Sequence, residues 1–291
     1  MDKNSFALIN NIKFWKNKIK ISPVKGGITN KNFLVIDGAK KYFVRIGDDI
    51  PEHMVFRANE IQASNAASKI GISPKLLFHD KSIQVFNFIS GKTFDSSDVK
   101  NNLDEITKLL KKVHVRIPDQ LVGQSVIFWV FYVIKSYKNF LERNQSTYIT
   151  ILPDLLEKSI KLESIASPFD IVFSHNDLLP ANFIENKDQI WLIDWEYAGF
   201  NTPLFDLGGL ASNNQFSEQE EKQLLENYFE KKLTSKLFIK YKAIKCASLL
   251  RETMWSMVSE ITSKIDFDYK SYTADNLIKF NKAFDEEFKI N

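Results

Sequence analysis

The sequence predicts an α+β fold of two lobes, a small antiparallel sheet first and a mostly helical lobe second. Three observations predict it. The first 90 residues hold short alternating runs broken by hairpin signals, and long amphipathic segments fill most of the chain after Gly91. The chain, 291 residues with 44% hydrophobic and 26% charged side chains, is long enough to bury real cores and ordinary enough in composition to be globular. With no repeat and no low-complexity linker, residues 1–89 and 90–291 are expected to be packed lobes meeting at a hinge near Ser90.

Taken in order, residues 21–25, 32–36 and 42–46 read as strands. Asp37-Gly38 joins the last two as a tight hairpin, because those residue types accept the positive φ such turns require. A glycine turn, Gly26-Gly27-Ile28-Thr29-Asn30, separates the first two. Residues 54–70 read as a helix stopped by Gly71 and Pro74, and residues 76–78 and 83–88 as two more strands. Beyond them, helices are expected over 99–115, 126–143, 152–166, 218–231, 236–261 and 272–288; Ile106, Leu109, Leu110 and Val113 follow the i, i+3, i+4, i+7 spacing of one buried face. Between the third and fourth of these lies 171–210, expected to be nonhelical, with brief strands at 182–184 and 190–193.

Charge is unevenly divided. Fourteen basic and seven acidic side chains precede residue 91, and 25 basic and 29 acidic come after it, so a net +3 averages a basic first lobe and an acidic second one. Such a dispersed excess argues against a nucleic-acid binder, which needs a clustered basic face. The longest apolar run, 126–134, is far short of the roughly 20 residues of a membrane-spanning helix. The start lacks the continuous apolar core of a secretory signal, and the lone Cys246 can form no internal disulfide. A cytoplasmic protein, not inserted in a membrane, is expected.

The chemistry is concentrated in Ser174-His175-Asn176-Asp177-Leu178-Leu179-Pro180-Ala181-Asn182 and Ile190-Trp191-Leu192-Ile193-Asp194-Trp195-Glu196-Tyr197. Each piece alone could be a turn or a helix cap. Together they supply what phosphoryl transfer needs: Asp177 to orient the attacking hydroxyl and receive its proton, and Asn182 and Asp194 as oxygen ligands for Mg²⁺ across nucleotide phosphates. The D-x-x-x-x-N spacing followed by an Asp, behind a sheet-forming lobe, is the order of parts in kinase-fold enzymes. The fold expectation thereby narrows to a protein-kinase-like one.

These segments resemble the choline/ethanolamine kinase family, in particular the bacterial choline kinases of the phosphocholine-decoration pathway, within the wider group that includes aminoglycoside phosphotransferases. The resemblance runs from about Val24 to Ser259, its specific parts include Asp206-Leu207, and its choline-type marks are Trp195-Glu196-Tyr197 and Asn201. It implies that Gly27, Thr29 and Asn30 lie over the phosphates of ATP, that Arg45 touches them with Glu60 as its partner, and that Phe88 and Ile89 form the hinge against adenine. His175 is expected to orient the loop. Glu196, Tyr197 and Trp255 are the expected cage for a small cationic alcohol, since ring faces attract a quaternary ammonium. Two positions depart from the family pattern: Val258 stands where relatives carry a second Trp, and Asn213 where they often carry a Glu. The implied activity is Mg-ATP-dependent phosphorylation of choline first and ethanolamine second, by a monomer or homodimer. A thiamine-type or aminoglycoside phosphotransferase and an inactive nucleotide-binding scaffold are the alternatives.

Overall fold

The computed structural model describes residues 3–24, 29–187 and 189–288. Gly27, with Gly26 and Ile28 of the glycine turn, lies outside the described residues. The chain starts with a helix that the hydropathy pattern does not announce, α1 (Lys3–Asn10), followed by β1 (Ile19–Val24), β2 (Lys31–Asp37) and β3 (Lys40–Ile46). Gly38 closes the β2–β3 hairpin at φ 61°. Helix α2 (Arg57–Lys69) leads to β4 (Leu76–Asp80) and β5 (Ile83–Asn87), and the five strands form one antiparallel sheet in the order β1-β2-β3-β5-β4. Alternation in β2 buries Phe33 and Val35 on one face. Helix α1 covers that face with Ile9, and Phe6 meets Phe33 edge to face at 5.9 Å. Ala63, Ala66 and Ala67 of α2 are buried instead in the larger core built by the later helices.

That larger core begins with β6 (Lys92–Thr93), α3 (Ser96–Asn101), α4 (Leu103–Arg116), α5 (Val130–Arg143) and α6 (Leu152–Ala166). The single helix expected over 99–115 is two, broken at Asn102, with the capping box of Asp95 and Asp98 starting the first. Helix α5 begins at Val130 rather than at 126, because the backbone of 126–128 is bonded elsewhere: Phe200 donates to the Val126 carbonyl at 2.8 Å and Phe128 to the Phe200 carbonyl at 2.9 Å.

Next come β7 (Val172–Ser174), β8 (Phe183–Asn186), β9 (Gln189–Leu192), β10 (Gly199–Asn201), α7 (Pro203–Asn213), α8 (Glu218–Phe229), α9 (Ser235–Thr262) and α10 (Tyr269–Phe288). The nonhelical expectation for 171–210 therefore fails at α7. Gly208 and Gly209 weaken the local helix signal, but burial of Leu204, Leu207 and Leu210 outweighs it. Gly208 also lets α9 approach closely, for a Cβ there would stand 3.1 Å from the Lys245 Cα. Helix α9 packs against α5, α6, α7 and α10 and buries Tyr241, Ile244, Leu250, Met257 and Val258. Among the described residues no helix is long and apolar enough to cross a membrane.

Candidate active site

Strand β7 delivers its chain into the loop 175–179, and a 3-10 turn at Pro180–Asn182 returns it into the β8–β9 hairpin. The hairpin register sets Phe183 opposite Leu192, and Ile193 donates its N–H to the Asn182 carbonyl at 3.0 Å. Asn182 and Asp194 are thus neighbours although twelve residues apart. Asn182 Nδ2 donates to the Asp177 carbonyl at 2.8 Å, with Asp177 Oδ2 at 3.5 Å, which leaves the Asn182 side-chain oxygen as the atom that could ligate a cation. Asn176 and Asp194 hold the left-handed conformation, φ 65° and 69°, a costly state concentrated where geometry is over-determined.

Asp206, in the first turn of α7, fixes the loop: its carboxylate accepts the N–H groups of His175 (2.9 Å) and Asn176 (2.8 Å) and the His114 Nε2 donor (2.9 Å). Burial opposes its ionisation, but the His114 ring and these donors outweigh it and hold the carboxyl below the usual range. His175 is fully buried, its Nε2 bonds the Ile193 carbonyl at 2.9 Å, and burial lowers its pKa. It ties the loop to the strand that carries Asp194.

A buried ionic network joins this loop to the sheet. Arg45 Nη1 on β3 donates to Glu60 on α2 at 2.5 Å and to Asp194 at 2.6 Å. Arg57 Nη1 donates to Glu60 at 2.5 Å and to Glu196 at 3.3 Å, and its Nη2 to Asn30 at 2.8 Å. Burial alone would raise the pKa of Asp194, yet Arg45 holds it below the usual range. Among the described residues Asp177 has no such partner: burial pushes its carboxyl well up, Arg251 opposes this, and the Asp194, Glu252 and Glu196 charges add to it.

Glu196 is placed differently from the expectation. Its carboxylate accepts Thr29 Oγ1 at 2.8 Å and Asn30 Nδ2 at 2.7 Å, so it engages the segment after the glycine turn rather than Tyr197 and Trp255. Its neighbour in sequence, Tyr197, does meet Trp255, whose indole Nε1 donates to the Tyr197 hydroxyl at 2.9 Å. A third ring, Tyr272 of α10, stands at 80° to Trp255 with centroids 6.4 Å apart. Tyr272, Arg251 and Glu252 are residues that the sequence pattern does not single out. Glu252 and Tyr272 look there like ordinary helix positions, although Glu252 lies three residues before Trp255 on the same helical face. Val258 is core, and Asn213 lines the cavity with its Nδ2 on the Leu178 carbonyl at 3.3 Å.

Most of these groups, though not Asn30, Arg57, His114, His175 or Val258, line one cavity of about 900 Å³. Its lining includes the apolar side chains of Val24, Phe43, Phe86, Phe88, Ile89 and Ile184, with Phe88 and Ile89 immediately after β5. Thr29, Arg45, Asp177, Asn182 and Asp194 also line it, as do the mutually contacting rings of Tyr197, Trp255 and Tyr272. The Nε donor of Arg45 is buried without a partner among the described residues. Among the described residues no cluster of three or more His, Cys, Asp or Glu side chains could hold a metal; the oxygen pair Asn182 and Asp194 suits a hard cation that completes its shell with phosphate and water.

The profile of the family described as choline/ethanolamine kinase matches residues 21–281. A protein of Arabidopsis thaliana named probable ethanolamine kinase is 29% identical over 292 residues, covering 87% of this chain and 76% of its own. Protein LicA of Haemophilus influenzae is 22% identical, with 91% and 78% covered. Of solved structures, choline kinase LicA from Streptococcus pneumoniae superposes with a TM-score of 0.79 at 24% identity, over 97% of this chain and 99% of that one. The GDP complex of aminoglycoside 2'-phosphotransferase-IIIa superposes at 0.69 and 12% identity, over 99% and 100%. These two share the fold, a protein-kinase-like α+β architecture.

Proposed function

The chain belongs to the choline/ethanolamine kinase family, and we propose that it transfers the γ-phosphoryl group of ATP to the hydroxyl of choline, or of ethanolamine, giving the phosphorylated amino alcohol. The observation that carries this reading is the meeting in one cavity of Asp177, Asn182 and Asp194 with the three rings of Tyr197, Trp255 and Tyr272. Adenine takes the apolar lining beside Phe88 and Ile89. Arg45, held by Glu60 and lining the cavity, lies beside the phosphates, and Thr29 and Asn30 are braced by Glu196.

Asn182 and Asp194 would hold Mg²⁺, which neutralises phosphate charge when bound. Asp177 accepts the hydroxyl proton as the alcohol oxygen attacks phosphorus and the bond to the departing ADP oxygen breaks. His114 and His175 move no proton in this scheme; through Asp206 and Ile193 they keep the loop in place. The rings exclude water around the cation and attract it by their quadrupoles, at roughly 0.5–2 kcal/mol per well-placed ring.

Asp177→Asn keeps the shape of the side chain and removes the proton acceptor. Turnover is expected to fall by about 10²- to 10⁴-fold with Mg-ATP affinity retained; turnover near that of the parent protein contradicts the assignment. A coupled assay on choline, ethanolamine, thiamine and kanamycin, compared as kcat/KM, tests the substrate class. A leading value for kanamycin would transfer the site to antibiotic phosphorylation, and no transfer to any of the four would favour a nucleotide-binding scaffold.

A further inference from the structure

We infer that Glu252 is the carboxylate that receives the cationic end of the alcohol. The inference rests on the reading of the cavity as an amino-alcohol kinase site and adds the residue that selects for charge. Among the described residues six carboxylates line the cavity. Glu60, Asp194 and Glu196 belong to the network of Arg45 and Arg57, Asp206 is consumed by the loop backbone and His114, and Asp177 is assigned to the hydroxyl. Glu252 remains, and it stands where the three rings converge.

Its geometry is that of a held group. Tyr272 donates its hydroxyl to Oε1 at 2.8 Å, and Arg251 Nη1 donates to Oε2 at 2.6 Å. Each oxygen keeps acceptor capacity for a further cation or donor. The side chain is 32% exposed, so it meets the cavity without being cut off from it. Tyr272 is thereby both a wall and a clamp, with its ring toward Trp255 and its hydroxyl on the carboxylate.

Arg251 makes the carboxylate necessary. Its guanidinium is buried over the Tyr197 ring at 5.1 Å and the Phe128 ring at 5.7 Å, a fixed positive charge where a positive substrate must sit. Lys279 of α10 also lines the cavity, and Asn213, facing it from α7, brings no charge. Glu252 therefore acts twice, cancelling the Arg251 charge and attracting the substrate cation. Replacing it by Gln would leave the buried arginine facing the ammonium.

The test compares choline with its uncharged carbon isostere, 3,3-dimethylbutan-1-ol, in a Mg-ATP-coupled assay. In E252Q the ratio of kcat/KM for choline over the isostere is expected to fall about three- to fivefold, the scale of one charge contact at a partly exposed site. KM for ATP should stay as in the parent protein, which reports an intact fold and nucleotide end. Glu252→Asp, which keeps the charge, should retain most of the ratio, and adding Asn213→Glu to E252Q should restore part of it. A ratio within twofold of the parent in E252Q, or equal losses for both alcohols, overturns the inference while leaving the kinase reading intact. No turnover of amino alcohols by the parent protein overturns that reading, and this inference with it.

Discussion

Replacing Arg57 by methionine keeps a stem of similar length and removes a charge from the middle of the buried network. The side chain is 6% exposed, and its guanidinium reaches Glu60 at 2.5 Å, Glu196 at 3.3 Å, Asn30 at 2.8 Å and the Asp48 carbonyl at 3.0 Å. Its loss leaves Glu196 buried beside Asp194 without a guanidinium partner of its own, the situation in which breaking a buried pair costs about 3–5 kcal/mol. Unfolding entropy of about 2.1 cal/mol/K per residue gives roughly 0.6 kcal/mol/K for this chain, so Tm should drop by about 5–8 °C. Scanning calorimetry measures the drop, and an ATP titration should show weaker binding as Thr29 and Asn30 lose their brace. In R57M/E196Q, where the orphaned acid is neutralised, part of the loss should return, a coupling that independent sites do not show. A fall in Tm below about 2 °C, or simple additivity in the double variant, would refute the network's role.

Local geometry sets two further outcomes. Gly47→Ala puts a Cβ 2.0 Å from Asn30 Oδ1, so Asn30 must leave Arg57; stability should fall by about 1–3 kcal/mol, with a higher KM for ATP, both measurable by denaturant titration and kinetics. Asp37 accepts the N–H groups of Lys16 (2.9 Å) and Asn17 (2.8 Å), which hold its carboxyl below the usual range. A depressed folded-state pKa stabilises above the unfolded value and is lost as pH falls through the folded one. Urea titrations should therefore find Asp37→Asn less stable than the parent at pH 7 and the two converging below about pH 4; a constant gap would remove Asp37 from the acid response.

Legibility in the sequence tracks how local the cause is. The Asp37-Gly38 hairpin and the α4 face of Ile106, Leu110 and Val113 are written in a few consecutive residues, and both stand in the structure. The loop from His175 to Asn182 is legible for the same reason. Helix α1 is not, because its eight residues acquire a reason to be helical only when Ile9 and Phe6 reach the sheet. Nor is α7, where two glycines count against a helix until α9 lies against them. Within the cavity, the direction of Glu196 depends on an Asp194 held at positive φ and on Arg57 arriving from another element, neither of which its sequence neighbours reveal. Glu252 carries the same lesson, since a glutamate on a helix looks solvated until a tyrosine from the next helix meets it.

Helix α9 runs unbroken for 28 residues and carries Arg251, Glu252 and Trp255 within about one turn, its start fixed by the Thr234 hydroxyl on the Leu237 N–H. Asp177, proposed as the proton acceptor, and Asn182 and Asp194, proposed to hold Mg²⁺, sit on other segments. On the proposed reading, the part of alcohol recognition carried by the α9 rod can change by side-chain exchange with no backbone near Asp177 obliged to move, whereas Tyr197, three residues after Asp194, is tied to the catalytic segment. The same rod is intolerant of a change in length. One inserted residue ahead of Arg251 would rotate every following side chain by about 100° and turn the whole recognition face into the core.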